Sequence, residues 1–443
     1  MSEGSSELPF YMRGNHAPVD REVSGDSFDV QGQIPAQLSG LYLRNGPNPI
    51  DGDPGHWFLG DGMIHGVRLE GGEAKSYRNR WVRTRPFEGD DTPRVGEDGV
   101  ADYTIGQANT NIIGHAGKIL ALVESGFPTE MTPNLDTIGT TDFGGKLAGP
   151  FTAHPKICAT TGEMLSFGYN FAAPFLVYHQ FSPTGELLRS EPIDVPGATM
   201  IHDFAITENH VVFMDLPIVF SFENLEQGLP FQWTPEYGAR LGVMPRDGGN
   251  DDVRWFEIDP CYVFHAMNAH EQNGSIVMDV ARYNKLWQAG GNDFEQAQLT
   301  RWTIDTSGGG VKEEPLDDLS IEFPRIDPRR EGLGYRFGYA ISTDGGDGIA
   351  TQHLVKYDLD NKTSEIHDFG NGRTPSEAVF VPASPDAAED EGFLLTYVYD
   401  ANRDSSDFVI LDAQNVTSEP LAVVPLPQRV PMGFHGNWIP DPS

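Results

Sequence analysis

Short runs rich in Val, Ile, Phe and Tyr recur along the whole chain, and each is stopped by Gly, Pro, Asn or Asp. KILALVE (118–124), EMLSFGYNF (163–171), HVVFMDLP (210–217), SIVMDVARY (275–283), GFLLTYVYD (392–400) and DFVILDA (407–413) are examples. Runs of this length with this punctuation read as antiparallel strands. Apolar residues at helical spacing are scarce; a candidate helix near 290–300 is the exception. An all-β chain of 443 residues must be a sandwich, a barrel or a propeller. The propeller suits this length best, because added blades do not leave long open edges. No internal repeat is clean enough to count blades. IDTSGGG (304–310), YDLDNKT (357–363) and FSPTGELL (181–188) read as hairpin tips between outer blade strands. Residues 1–30 read as an irregular lead-in, residues 31–443 as one propeller domain, and PDAAEDEG (385–392) as a solvated loop.

Charge removes one class of partner. The net charge is −35, and only eight of the 30 cationic residues are Lys, so the chain is not expected to bind nucleic acid, whose phosphates need Lys and Arg. Cys158 and Cys261 are the only cysteines, too few for a disulfide scaffold, and two buried thiols are expected. The first residues lack a basic segment followed by an apolar core, and no run reaches the ~20 apolar residues of a membrane span. The expected location is the cytoplasm.

Thirteen histidines are present, and four stand in distinctive contexts: His154 in FTAHPK, His202 in MIHDF, His265 in YVFHAMNAHE and His435 in GFHGNW. They are separated by 48, 63 and 170 residues, so only a closed fold can bring them together. Imidazole serves iron, copper, nickel and zinc alike. A structural zinc site recruits Cys, and a catalytic zinc site needs only three protein ligands. His270 lies five residues after His265; on an extended strand that offset puts them on opposite faces, so they should not share a metal. His56 and His65 flank GDGM and read as turn-holding residues. Neither G-x-S-x-G nor a helix-opening G-x-G-x-x-G occurs.

The four contexts resemble those of the carotenoid cleavage oxygenase family, whose members hold one ferrous ion with four imidazoles. The likeness runs from LYLRNGPNP (41–49) through HWFLGDGMIHGV (56–67), RNRWVRT (78–84), NTNII (109–113), ALVESGFPTEM (121–131), LDTIGTTDF (135–143), SFGYNF (166–171) and TPSEAVFVP (374–382) to FHGNW (434–438). It implies a seven-bladed β-propeller with a loop and helix dome over an Fe(2+) site. It also implies that Glu124, Glu322 and Glu377 orient His202, His265 and His435, leaving His154 without a glutamate, and that the Thr110 methyl blocks one coordination position. The implied reaction adds dioxygen across one conjugated double bond of an apolar substrate, giving two carbonyl products.

Within the family, one branch cleaves carotenoids or apocarotenoids and another cleaves stilbenes or phenylpropenes with a 4-hydroxyl. The stilbene cleavers place a Lys where this chain has Val123, and Val cannot hold a phenol oxygen. Tyr103 is a candidate substitute. The carotenoid branch is therefore expected, with the stilbene branch as the alternative. A substrate of that kind is drawn from a membrane, and LPIVFSFENLEQGLPFQW (216–233) is a candidate apolar docking patch; the competing reading is a buried inter-blade segment. The sequence leaves the oligomeric state open.

Overall fold

In the computed structural model, residues 8–441 are described, apart from 125, 225–228, 288–292, 344–345 and 348–349. Among them, seven antiparallel four-stranded units follow one another along the chain. Blade 1 holds Gly40–Pro47, Gly62–Glu70 and Glu73–Trp81; blade 2 runs from Asn111–His115 to Thr137–Thr140; blade 3 from Lys156–Ile157 to Leu187–Ile193; blade 4 from Phe204–Ile206 to Arg254–Ile258. Blade 5 starts at Tyr262–Gln272 and ends in the 17-residue strand Gly310–Ile326. That strand changes partner between Ser320, opposite Gln298, and Ile321, opposite Ser342, and so also begins blade 6. Blade 7 runs from Arg373–Pro375 and Val379–Pro382 to Ala422–Pro425.

The ring closes through the C-terminus. Gly436–Pro440 pairs with Gly40–Pro47, from Arg44 opposite Gly436 to Gly40 opposite Pro440, and supplies the inner strand of blade 1. Closure removes an open sheet edge. The lead-in adds outer edges: Ser24–Gly25 pairs with Glu73–Trp81, and Gln31–Gly32 with Ala422–Pro425.

The hairpins follow from local chemistry. Asn273 and Gly274, with φ of 52° and 80°, join Tyr262–Gln272 to Ser275–Tyr283 in a two-residue turn. Both central residues take the left-handed region, which Asn and Gly tolerate best and which suits the strand twist. The three expected outer tips each join the third strand of a blade to its fourth.

One expectation needs correction. The candidate helix near 290–300 is absent where the chain is described: 288–292 lie outside the described residues, and Ala297–Asp305 is a strand whose burial largely alternates. The dome has no α-helix among the described residues; its helical parts are 3-10 turns such as Trp57–Leu59 and Phe222–Asn224. No described helix is long and apolar enough to cross a membrane.

Candidate metal centre

Each blade sends one residue to a common point, six from the inner strand or the loop beside it and Glu124 from the loop after the second strand of blade 2. His435, His154, His202 and His265 come from blades 1, 3, 4 and 5; Glu124, Glu322 and Glu377 come from blades 2, 6 and 7. The four histidines are buried, and one ring nitrogen from each lies within 4.8 Å of the others. The Nε2 atoms converge: His154 to His202 is 3.0 Å, His202 to His265 is 3.3 Å, and His265 to His435 is 3.0 Å.

The glutamates face the opposite nitrogens. Glu124 Oε1 lies against His202 Nδ1. His265 Nδ1 donates to Glu322 Oε2 at 2.5 Å, and His435 Nδ1 donates to Glu377 Oε1 at 2.9 Å. With the Nδ1 protons so directed, the Nε2 lone pairs all face one another, an arrangement that calls for a cation. Spacing bears on which cation fits. Adjacent ligands at right angles, with bonds of about 2.1 Å, stand about 3.0 Å apart, whereas corners of a tetrahedron stand about 3.4 Å apart. Two of the three distances match right angles, the geometry that leaves further coordination positions open.

The carboxylates are themselves held. Glu322 accepts from the Tyr283 hydroxyl at 2.9 Å and from the Phe323 N–H at 2.6 Å. Glu377 accepts from the Gly436 N–H at 2.7 Å, and Glu124 accepts from the Tyr169 hydroxyl at 2.5 Å. Burial pushes the Glu377 carboxyl up, but Arg325 and His435 outweigh it and leave it at about 2. Glu322 is likewise lowered, because His265 overrides the effect of burial. Burial, followed by its three imidazole neighbours, holds His154 well below its usual range. His435 falls to about 4 chiefly through burial, with Glu377 opposing. Burial pulls His265 down, but Glu322 overrides it and the value is raised.

Phe323 has φ of 52°, a conformation that costs a non-glycine residue of order 1–3 kcal/mol. It puts the Phe323 N–H on the Glu322 carboxylate and the ring on His265, 5.4 Å away. Thr110 follows the left-handed Ala108, with Asn45 Nδ2 donating to the carbonyls of Ala108 and Asn111 on either side of it. Its hydroxyl donates to Asn109 Oδ1 at 2.9 Å, which turns that group to a protein partner.

A cavity of about 590 Å³ reaches His202, His265 and His435, together with Thr110, Val123 and Glu124. His154 is not among its lining residues. The walls are mainly apolar and rich in aromatic rings, with Phe58, Phe171, Phe220, Phe231, Phe264 and Phe434 among them.

Other expectations meet mixed outcomes. His56 caps the Trp57–Leu59 turn by accepting from the Phe58 N–H. His65 holds no turn; it lies within Gly62–Glu70, 2.8 Å from the Tyr77 hydroxyl. His270 stays outside the metal cluster, near the Tyr335 ring. Both cysteines are buried free thiols. Tyr103 does not line the cavity; its hydroxyl accepts from Asn170 Nδ2 at 2.8 Å. In the 216–233 segment, Leu216 and Ile218 are buried, while Phe220, Leu229 and Phe231 are half-buried cavity wall; 225–228 lie outside the described residues. The sequence reading missed Arg94, a charged residue in this apolar wall, which carries no motif to mark it.

The model of the family described as retinal pigment epithelial membrane protein matches residues 16–440. A carotenoid cleavage oxygenase of Mycobacterium tuberculosis is 40% identical, with 97% of each chain covered. A carotenoid 9,10(9',10')-cleavage dioxygenase of Pisum sativum is 34% identical over 98% of this chain and 91% of its own. The crystal structure of Pseudomonas brassicacearum lignostilbene dioxygenase superposes with a TM-score of 0.87 at 31% identity, covering 98% of this chain and 100% of that one. This chain belongs to the carotenoid cleavage oxygenase family. It is an oxidoreductase of the dioxygenase type.

Proposed function

We propose that this enzyme cleaves one conjugated double bond of a carotenoid or apocarotenoid with dioxygen, at a ferrous ion held by His154, His202, His265 and His435. The observation that carries the reading is the aromatic-rich cavity of about 590 Å³ meeting three of the four imidazoles. A cavity that size gives a long polyene a dry path to the metal. Ferrous iron, when bound, supplies the binding and activation of dioxygen. The four-imidazole donor set favours it over zinc, whose structural sites recruit Cys and whose catalytic sites need only three protein ligands. Glu124, Glu322 and Glu377 fix the tautomer and tilt of three ligands. Thr110, its hydroxyl bonded to Asn109, lines the cavity beside the histidines, where its methyl would limit the room for dioxygen at a bound metal.

The alternative is a stilbene or phenylpropene substrate, favoured by the likeness to a lignostilbene dioxygenase. Val123 in the cavity wall and the engaged Tyr103 hydroxyl argue against it, since neither anchors a phenol. The half-buried apolar wall formed by Phe220, Leu229 and Phe231 is the proposed entrance for a substrate leaving a membrane, in a protein acting from the cytoplasm. With a net charge of −35, contact with lipid would be apolar rather than electrostatic. Side-by-side aerobic assays on an apocarotenal and a 4-hydroxystilbene decide the branch. The expected result is two carbonyl products from the apocarotenal; cleavage of the stilbene alone overturns the assignment.

A further inference from the structure

We propose that a ring of hydrogen bonds and ion pairs, formed by residues next to the ligands in sequence and completed by Glu322, Arg325 and Asn111, sets the spacing of the four Nε2 atoms. This inference rests on the proposed metal reading and concerns what holds the centre together beyond its glutamates.

The ring can be followed from ligand to ligand. Lys156, two residues after His154, places Nζ 2.9 Å from Asp203 Oδ1, and Asp203 directly follows His202. Asp203 Oδ2 accepts from the N–H of Ala266, which directly follows His265, at 2.9 Å. His265 is bonded to Glu322, and Arg325, on the same strand as Glu322, donates through Nη2 to Asn437 Oδ1 at 2.7 Å. Asn437 lies two residues after His435. Its Nδ2 donates to the Ile112 carbonyl at 2.9 Å and to Asn111 Oδ1 at 3.2 Å. Asn111 follows Thr110, and its Nδ2 donates to the carbonyl of Ala153, the residue before His154, at 2.8 Å. The path thus returns to its start after passing through all four ligand segments.

Burial makes these contacts count. The Asp203 side chain is 1% exposed, and that of Lys156 is 14% exposed. A carboxylate this deep needs every available donor, and it has three: the Lys156 ammonium and the N–H groups of Phe204 and Ala266. Asp203 thereby fixes the backbone after two ligands and ties it to the segment of a third. A glutamate on Nδ1 fixes only the rotation of its own ring; the ring of contacts fixes where the Cα atoms stand. His154, which has no glutamate, depends on it most, through Lys156 on one side and Asn111 on the other. These are positioning residues, since none is placed in contact with substrate.

The test uses cobalt(II) as a probe whose visible bands report ligand geometry, on the intact metal-free protein. Three proteins are compared: wild type, Lys156→Met, and Lys156→Met/Asp203→Asn, the last removing the Asp203 charge together with that of its ammonium partner. The proposal expects cobalt affinity to fall about tenfold in both variants. It also expects shifted visible bands, with the metal-free double variant melting close to wild type. Wild-type affinity and bands in the double variant would overturn the ring. So would an affinity loss that only tracks a lower melting temperature of the metal-free protein, with the bands unchanged. A wild type that takes up no cobalt would instead remove the metal reading, and the ring's role with it.

Discussion

At the scale of single residues, the centre depends on where each imidazole proton points. Glu322 accepts hydrogen bonds from His265 Nδ1, the Tyr283 hydroxyl and the Phe323 N–H, so its charge is fully engaged. Glu322→Gln keeps the shape and removes the charge; metal affinity is expected to drop 10- to 100-fold, read by anaerobic titration with ferrous iron. Val123 bears on substrate choice rather than on the metal. Val123→Lys places an ammonium in the cavity wall, and 4-hydroxystilbene turnover is expected to rise relative to apocarotenal turnover, measured as the ratio of kcat/KM values. The histidines and glutamates were legible in the sequence because their flanking segments resemble a known family. Lys156, Asp203 and Asn111 were not: each reads as an ordinary polar strand residue, and their joint role exists only once segments tens of residues apart are brought together. Arg94 escaped for a similar reason, since its place in the cavity is set by a long excursion between blades 1 and 2.

At the scale of elements, what was readable was the strand pattern and its turns. The Asn273–Gly274 hairpin and the outer tips follow from residues whose conformational preferences are local. The candidate helix near 290–300 failed because a few apolar residues at mixed spacing fit either period, and pairing with Ser275–Tyr283 decided in favour of a strand. His65 was misplaced because the glycines beside it mark close packing between strands rather than a turn. A Cβ on Gly66 would lie 2.7 Å from Leu43 Cδ2. Between blades 4 and 5, Glu271 accepts from the Thr207 hydroxyl at 2.7 Å and from the Asn209 N–H at 2.9 Å, and stands 2.9 Å from His210 Nδ1. Burial raises this carboxyl, but the bonds from Thr207, Asn209 and His210 outweigh it and bring it from 4.5 to about 2. A carboxyl lowered on folding stabilises the fold above its unfolded value and loses that contribution as pH falls through its folded value. The gap in denaturation midpoint between wild type and Glu271→Gln should therefore be present at pH 5. It should shrink as pH falls from about 4.5 to about 2.

At the scale of the whole molecule, closure and chemistry share one strand. Gly436–Pro440 completes blade 1 immediately after His435, so the last ligand is positioned by the same pairing that shuts the ring. Asp441 fastens the end of that strand, accepting from the Ser39 hydroxyl at 2.6 Å and from Arg68 Nη2 at 2.7 Å. These side chains are partly exposed, so Asp441→Ala is expected to cost at most about 1 kcal/mol in thermal denaturation and to leave metal affinity unchanged. The propeller class was legible from the succession of strands, whereas the count of seven blades came only from the family resemblance. One strand, Gly310–Ile326, serves two blades, and the last strand belongs to the first blade, so no repeat in the sequence marks the units.

The central claim is that four imidazoles from four blades hold one ferrous ion. It is tested most directly by equilibrium binding of ferrous iron under anaerobic conditions to the wild type and to His265→Ala. One tightly bound ion per chain, lost with the substitution, is the result this account predicts. A wild type that binds no iron, or a His265→Ala variant that binds it as tightly as the wild type, would contradict it.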